Sequence, residues 1–127
     1  DRFVFSSEVL FDAGSADIGA EGKRQLDTIS DVLKDISQKI PEDINWVLRV
    51  DGHTDKTPLS PNSIFKDNWE LSQARSLSVV KYMINIHEIN PKRLSAAGFG
   101  EHQPISFSNS KEAFAKNRRI EFKLTER

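Results

Sequence analysis

Asp55 and Arg75 are the residues whose types and spacing best suit recognition chemistry. Asp55 closes the segment Asp51-Gly52-His53-Thr54-Asp55, and Arg75 closes Asn68-Trp69-Glu70-Leu71-Ser72-Gln73-Ala74-Arg75. An arginine fork takes a carboxylate in two parallel bonds, whereas an aspartate accepts from an ammonium. Together they suit a ligand that carries both groups. Charge-assisted bonds contribute about 1.5–3 kcal/mol each, enough for specificity at modest affinity. The same spacing equally allows a plain salt bridge between the two, and the sequence leaves both readings open.

The elements that must hold these groups follow from periodicity. Ile44, Trp46, Leu48 and Val50 alternate as one face of a strand that delivers Asp55. A polar loop from Lys56 to Asp67, with Pro58 and Pro61, leads to a helix from about Trp69 to His87. In that helix Leu71, Ala74, Leu77 or Ser78, Lys81 and Ile84 lie on adjoining faces, widened by Val80 and Met83. Asn90-Pro91 breaks it. Upstream, Phe3 to Phe5 reads as a short strand, with Val9, Leu10 and Phe11 following. Phe11 to Ser15 reads as a turn in which Gly14 takes a positive φ. Leu26, Ile29, Leu33, Ile36 and Ile40 form the stripe of a helix over Ala20–Lys39, ended by Pro41. The stripe is too short for a coiled coil and predicts a helix packed on a sheet. Leu94 to Phe99 is a further strand, Gln103 to Ser110 a polar loop and Lys111 to Lys116 a short helix. Arg119 to Thr125 is the last strand, with Ile120, Phe122 and Leu124 inward and Glu121 and Lys123 outward. Long helices between strands require crossover connections. The expected fold is therefore an α/β (α+β) two-layer sandwich, β-α-β-α-β-(short α)-β, with a mixed sheet and helices packed on it.

Composition narrows the function. The 127 residues suit one domain, 1–127, with one core. With 18 basic against 19 acidic residues, no overall field recruits nucleic acid or an anionic membrane. The absence of cysteine removes disulfides, thiolate metal sites and cysteine nucleophiles. His53 and Asp55 are both metal-ligand types. However, His87 and His102 show no ligand spacing to them, so His53 reads as a packed or turn-forming histidine and no metal or cofactor is expected. No serine sits in a glycine-flanked elbow, and Gly98 and Gly100 do not form a phosphate cradle. The phenylalanines read as core rather than as a stacking platform for nucleic acid. Lys116, Arg118 and Arg119 form a basic cluster, either a solvated face or structural partners of acids. No run approaches a spanning helix. The chain begins at Asp1, so an excised or processed piece is expected, with any export signal or anchor upstream.

Five segments in order carry a resemblance: Val9-Leu10-Phe11-Asp12-Ala13-Gly14-Ser15, Gly52-His53-Thr54-Asp55, Asn68 to Arg75, Arg93-Leu94-Ser95-Ala96-Ala97-Gly98-Phe99-Gly100 with Pro104, and Asn117-Arg118-Arg119-Ile120-Glu121-Phe122. The series resembles the OmpA/MotB C-terminal domain from about Phe5 to Phe122. The resemblance implies a non-catalytic, periplasmic peptidoglycan-binding module that anchors a membrane protein or lipoprotein to the cell wall. It implies that Asp55 and Arg75 hold diaminopimelate of the stem peptide. Asn68, Thr54 and Leu71 map to the same pocket, Arg118 to its rim, and Ala13 and Gly14 to an opening loop near the peptide. Many members have asparagine at the position of Gly14, so only backbone serves there. The long Lys56–Asp67 loop and Asn-Trp-Glu-Leu-Ser resemble the flagellar stator branch, which favours an inner-membrane anchor outside this chain. A homodimer is compatible with this reading. A protein-interaction module of the same fold and a metal-dependent wall hydrolase are the alternatives.

Overall fold

The computed structural model describes residues 2–127. Four strands, β1 (Arg2–Ser6), β2 (Trp46–His53), β3 (Leu94–Gly98) and β4 (Arg119–Glu126), form one sheet in the order β1-β4-β2-β3. β2 and β3 run parallel, whereas β4 is antiparallel to both β1 and β2. Helices α2 (Ala20–Lys39) and α3 (Asn68–His87) contribute to one core with the sheet, and α1 (Ser7–Leu10) and α4 (Lys111–Asn117) are short. This is the mixed, two-layer arrangement that the alternation of strands and long helices predicts.

Local sequence explains most element ends. Asp67 caps α3, accepting from the Glu70 amide at 2.9 Å, and Glu70 reaches back to the Lys66 amide at 3.0 Å. The far end of α3 is set by Glu88 in the left-handed region (φ 58°), after which the Ile89 amide bonds Met83 O and its side chain is buried. Termination thus precedes Asn90-Pro91. Ser6 accepts from the Glu8 amide and starts the single turn of α1, so Val9 and Leu10 are helical rather than extended. Leu10 is fully buried there.

The core is built from Leu10, Leu26, Leu33, Trp46, Leu48, Val50, Val79, Met83, Ile120 and Phe122. Expectations about burial are corrected in β2, β4 and α3. Ile44 lies outside β2 and is exposed, because the strand starts at Trp46 and runs on to His53. Leu124 is 40% exposed, lying near the end of the last strand, and Glu121 is buried on the helix-free face of the sheet. The inward face of α3 is Leu71, Ser72, Arg75, Ser76, Val79, Val80 and Met83, whereas Leu77 and Lys81 are exposed. Small residues cause that rotation.

Ser72 and Ser76 sit against Gly52 and Gly98, where a Cβ would lie 2.3 Å from Ser72 O and 2.5 Å from Gln73 N respectively. Ser72 Oγ accepts from the Gly100 amide at 3.0 Å, and Ser76 Oγ donates to Ala97 O at 2.9 Å. These contacts place the first turns of α3 hard against the ends of β2 and β3. Gly52→Ala is therefore expected to destabilise the fold by about 1–3 kcal/mol, the usual range for overpacking. A lower midpoint in urea denaturation, with an unchanged slope, checks this.

Candidate functional site

The site lies at the edge where β1, β2 and β3 end and β4 begins. Beyond His53, the Thr54 amide bonds Gly100 O at 2.9 Å and the Thr54 hydroxyl donates to Asp55 O at 2.8 Å. Both residues are buried. Asp55 Oδ1 accepts from the Thr57 amide at 2.8 Å, a local turn typical of aspartate, and Oδ2 accepts from Arg118 Nη1 at 2.5 Å. Asn68, at the start of α3, offers its amide hydrogens to Asp55 O (3.4 Å), Thr57 O (3.1 Å) and Glu101 Oε1 (3.3 Å). It ties the mouth of the long loop to the helix.

Arg75 lies on the inward face of α3, only 7% exposed, with its guanidinium 5.0 Å above the Phe11 ring. Its Nε donates to Ser15 O at 2.8 Å. No carboxylate pairs with it among the described residues. Burial pulls its pKa below the ordinary arginine value, opposed by the nearby charge of Glu8. The pair Asp55–Arg75 does not form the plain salt bridge that spacing allowed.

Arg118 takes that partnership instead. Its guanidinium bridges Asp55 on one side and Glu8 on the other. Burial opposes ionisation of Glu8, but the Ser6 hydroxyl (2.7 Å) and Arg118 hold its carboxyl below the usual range. Beside this chain of charges opens a cleft of about 350 Å³ lined by Ser7, Glu8, Phe11, Asp12, Ala13, Gly14, Arg75 and Arg118. Gly14 holds φ 65°, the conformation that favours glycine, with open space where a Cβ would stand. A second cleft of about 200 Å³ borders Thr54 and Asp55, walled by Lys56, Phe107 and Phe114.

Of the residues singled out in the sequence, Arg75, Arg118, Ala13 and Gly14 line the first cleft. Asp55 and Thr54 line the second, and Asn68 and Leu71 line neither, acting as buried support. Arg118 lines the cleft and bonds both Glu8 and Asp55. Sequence reading missed Glu8, Phe11 and the Ser15 carbonyl as site groups. Ser6-x-Glu8 was the available signal, since it starts a helical turn and fixes an acid at a strand end. A larger cleft of about 520 Å³, between α2 and the β1–β4 edge, is apolar apart from Arg2 and lacks groups that orient a charged ligand.

The other titratable candidates are structural. His53 is buried and stacked on Phe99 at 5.1 Å with the rings 7° from parallel. Burial, then the charge of Arg119, pushes its pKa down to about 4. Arg119, 3% exposed, donates to Glu121 (2.6 Å), Asn117 O (3.2 Å) and Gln103 O (2.8 Å). Lys116 is exposed. No group of three or more His, Asp or Glu side chains converges on a metal position among the described residues.

Comparison with known proteins places this geometry among relatives. The OmpA family model matches residues 10–118. Motility protein B of Bacillus subtilis (strain 168) is 32% identical over 118 residues, covering 93% of this chain and 42% of that protein. The periplasmic domain of Helicobacter pylori MotB superposes with a TM-score of 0.83 at 29% identity, covering 98% of this chain and 81% of that one. The cell wall anchor of the T6SS from Pseudomonas aeruginosa superposes with a TM-score of 0.81 at 26% identity, covering 98% and 80%. The chain spans less than half the length of the first curated relatives it matches, 45% and 42%.

His53 also generates a stability prediction. Between about pH 6.5 and 4 the unfolded chain binds a proton on this imidazole that the folded chain does not. Stability is therefore full above that window and declines as the pH falls through it, by up to about 3 kcal/mol. Asp51, raised by burial, works in the opposite sense. Urea midpoints measured from pH 7 to 4 should fall less steeply in His53→Phe than in the parent.

Proposed function

The chain belongs to the OmpA family, and from that premise we propose that residues 1–127 act as one non-catalytic module that binds peptidoglycan. The ligand we assign is diaminopimelate of the stem peptide, whose side chain ends in an ammonium and a carboxylate on one carbon. The observation that carries this reading is the buried Arg75 guanidinium, free of any carboxylate among the described residues, facing a cleft beside Glu8, Arg118 and Asp55. A buried cation without a counter-ion costs stability unless an anion completes it. A carboxylate in the cleft would do so in two parallel bonds, on a fork already oriented by Ser15 O and Phe11. Glu8 and Arg118 line the same cleft, and Asp55 holds Arg118 from the adjoining cleft, while Thr54, Asn68 and Leu71 hold the end of β2 and the start of α3 in place.

The cellular reading follows the relatives. The Helicobacter pylori neighbour is a periplasmic domain, and the Pseudomonas aeruginosa neighbour is a cell wall anchor. We place this module in the periplasm, joined to a membrane by a segment outside this chain, with the inner membrane preferred for its stator-like loop. No helix among the described residues is long and apolar enough to cross a membrane. One stem peptide is bound modestly, and attachment becomes firm when two or more modules engage the same polymer, as a homodimer would allow.

Calorimetric titration with a diaminopimelate-containing stem peptide tests the proposal. The parent should bind saturably, and Arg75→Ala and Asp55→Ala should each weaken binding about ten- to a hundredfold, the worth of one charge-assisted contact. A folded parent that shows no heat and no shift of the Ala13–Gly14 amide resonances would refute it.

A further inference from the structure

The helix-free face of the sheet carries a second polar surface. Strand register sets its side chains in rows across the sheet. Arg2 of β1, Lys123 of β4 and Arg49 of β2 stand opposite one another, a run of three cations. Two residues along each strand, Glu121 stands directly opposite Asp51, and the row after that sets Arg119 opposite His53. These side chains line a cleft of about 380 Å³, walled by Phe99 and the 103–105 loop, that shares no lining residue with the Arg75 cleft. Its volume falls within the usual range of small-molecule sites.

The two acids of the middle row are satisfied unequally. Glu121 has both oxygens bonded, one by Arg2 at 3.2 Å and the other by Arg119 at 2.6 Å. Asp51, 4% exposed, has Oδ2 bonded by Arg49 at 2.8 Å, whereas its Oδ1 is buried with no partner among the described residues. His53 Nδ1, in the adjoining row, is likewise buried and unpartnered. A buried polar atom without a partner is costly. Above this floor, Lys123 is exposed and pairs with no acid among the described residues. The cleft is lined by four basic side chains against two acids, an excess of two positive charges. His53, with its pKa near 4, adds none at neutral pH.

We propose that this face binds a small phosphate monoester with neighbouring hydroxyl groups, a polyol or sugar phosphate. Such a phosphate carries about 1.5–2 negative charges at neutral pH, which matches the excess on the cleft. It sits on the basic row, where Arg2 and Arg49 offer planar forks and Lys123 a point charge. The hydroxyls then run along β2 towards the floor. One donates to Asp51 Oδ1, and the next pairs with His53 Nδ1, which donates or accepts according to its tautomer. Residues two apart on a strand are separated by about 6.5 Å, within reach of a short carbon chain. Arg49 is 38% exposed and bonds Asp51 through one nitrogen, so turning it outward to a phosphate uncovers Oδ1 and leaves the core undisturbed. Water could meet the two floor atoms, but it would leave the row of cations without an anion.

The test uses glycerol 3-phosphate and propyl phosphate, which share charge and length and differ by two hydroxyls. Each is titrated by NMR against the parent, Lys123→Gln and Asp51→Val, with circular dichroism verifying the fold. The parent should bind both saturably, shift the Asp51 and Lys123 amide resonances, and prefer glycerol 3-phosphate by about tenfold, one charge-assisted bond. Lys123→Gln should weaken both ligands by a similar factor and keep the preference. Asp51→Val should bind both equally. If Asp51→Val retains the preference, or if Lys123→Gln binds as the parent does, the assignment is wrong. A folded parent that binds neither phosphate overturns the site and leaves the floor atoms to water. Both variants should bind the diaminopimelate stem peptide as the parent does. A loss there would show that this face acts through the fold and overturn a separate site, whereas failure of the parent to bind that peptide touches only the wall reading.

Discussion

The close approach of α3 to the parallel pair β2–β3 is the constraint on which the site depends. Gly52 and Gly98 have no side chains, and Ser72 and Ser76 have short ones, so the helix backbone settles almost onto the strands. The serine hydroxyls then bond Gly100 N and Ala97 O, which satisfies polar groups that this contact would otherwise bury unpaired. The contact fixes where α3 starts and therefore where Arg75 stands relative to Asp55. Because β2 and β3 are parallel, their carboxyl ends share an edge with the amino end of α3. The antiparallel β4 begins at that edge, and β1 ends there. Glu8, Asp55, Arg75 and Arg118 come from four separate segments, and topology alone brings them together.

Within that edge the charges are arranged in unequal partnerships. Arg118 is shared by two acids, while Arg75 has a carbonyl and an aromatic ring but no acid among the described residues. A surface guanidinium could remain solvated at little cost. Arg75 is 7% exposed and cannot. The bridge at Arg118 matters for this inequality, since a free Arg118 would repel Arg75 or compete for the same anion. Holding one arginine with Glu8 and Asp55 leaves the other available, which is a form of preorganisation.

The elements were legible in the sequence because their apolar periods are long and clear. Leu26, Ile29, Leu33 and Ile40 of the α2 stripe, the alternation Trp46-Leu48-Val50 and that of Ile120-Phe122 all pack in or against the core. The buried face of α3 was not legible in the same way. Ser72, Ser76 and Arg75 count as polar in any hydrophobic pattern, yet they face the sheet, and only the partner glycines explain why. Leu124 misleads in the reverse sense, since alternation says which side a residue faces but not whether anything covers that side. At the site, sequence placed Asp55 and Arg75 at one edge but could not rank the acids around them. Glu8 lies 110 residues from Arg118 in the chain, and their contact exists only through the β1–β4 pairing.

The Arg118-Arg119 pair shows how strand geometry separates structure from recognition. Successive side chains along a strand point to opposite faces. Ile120 and Phe122 enter the core, so Arg119 and Glu121 take the helix-free face, where they bond each other at 2.6 Å in a nearly dry setting. Arg119 also holds Gln103 O and Asn117 O, while Asn117 Oδ1 accepts from the Ile105 and Ser106 amides. It is thereby committed to fastening the loop after β3. Arg118, one residue earlier and outside the strand, is released from that alternation and turns to the cleft edge. Lysine would serve poorly at either position, because both side chains satisfy several acceptors at once through a planar fork that an ammonium on a flexible stem does not reproduce. Two adjacent arginines of one basic cluster thus hold unrelated posts, one closing the sheet and the other setting the charge of the cleft.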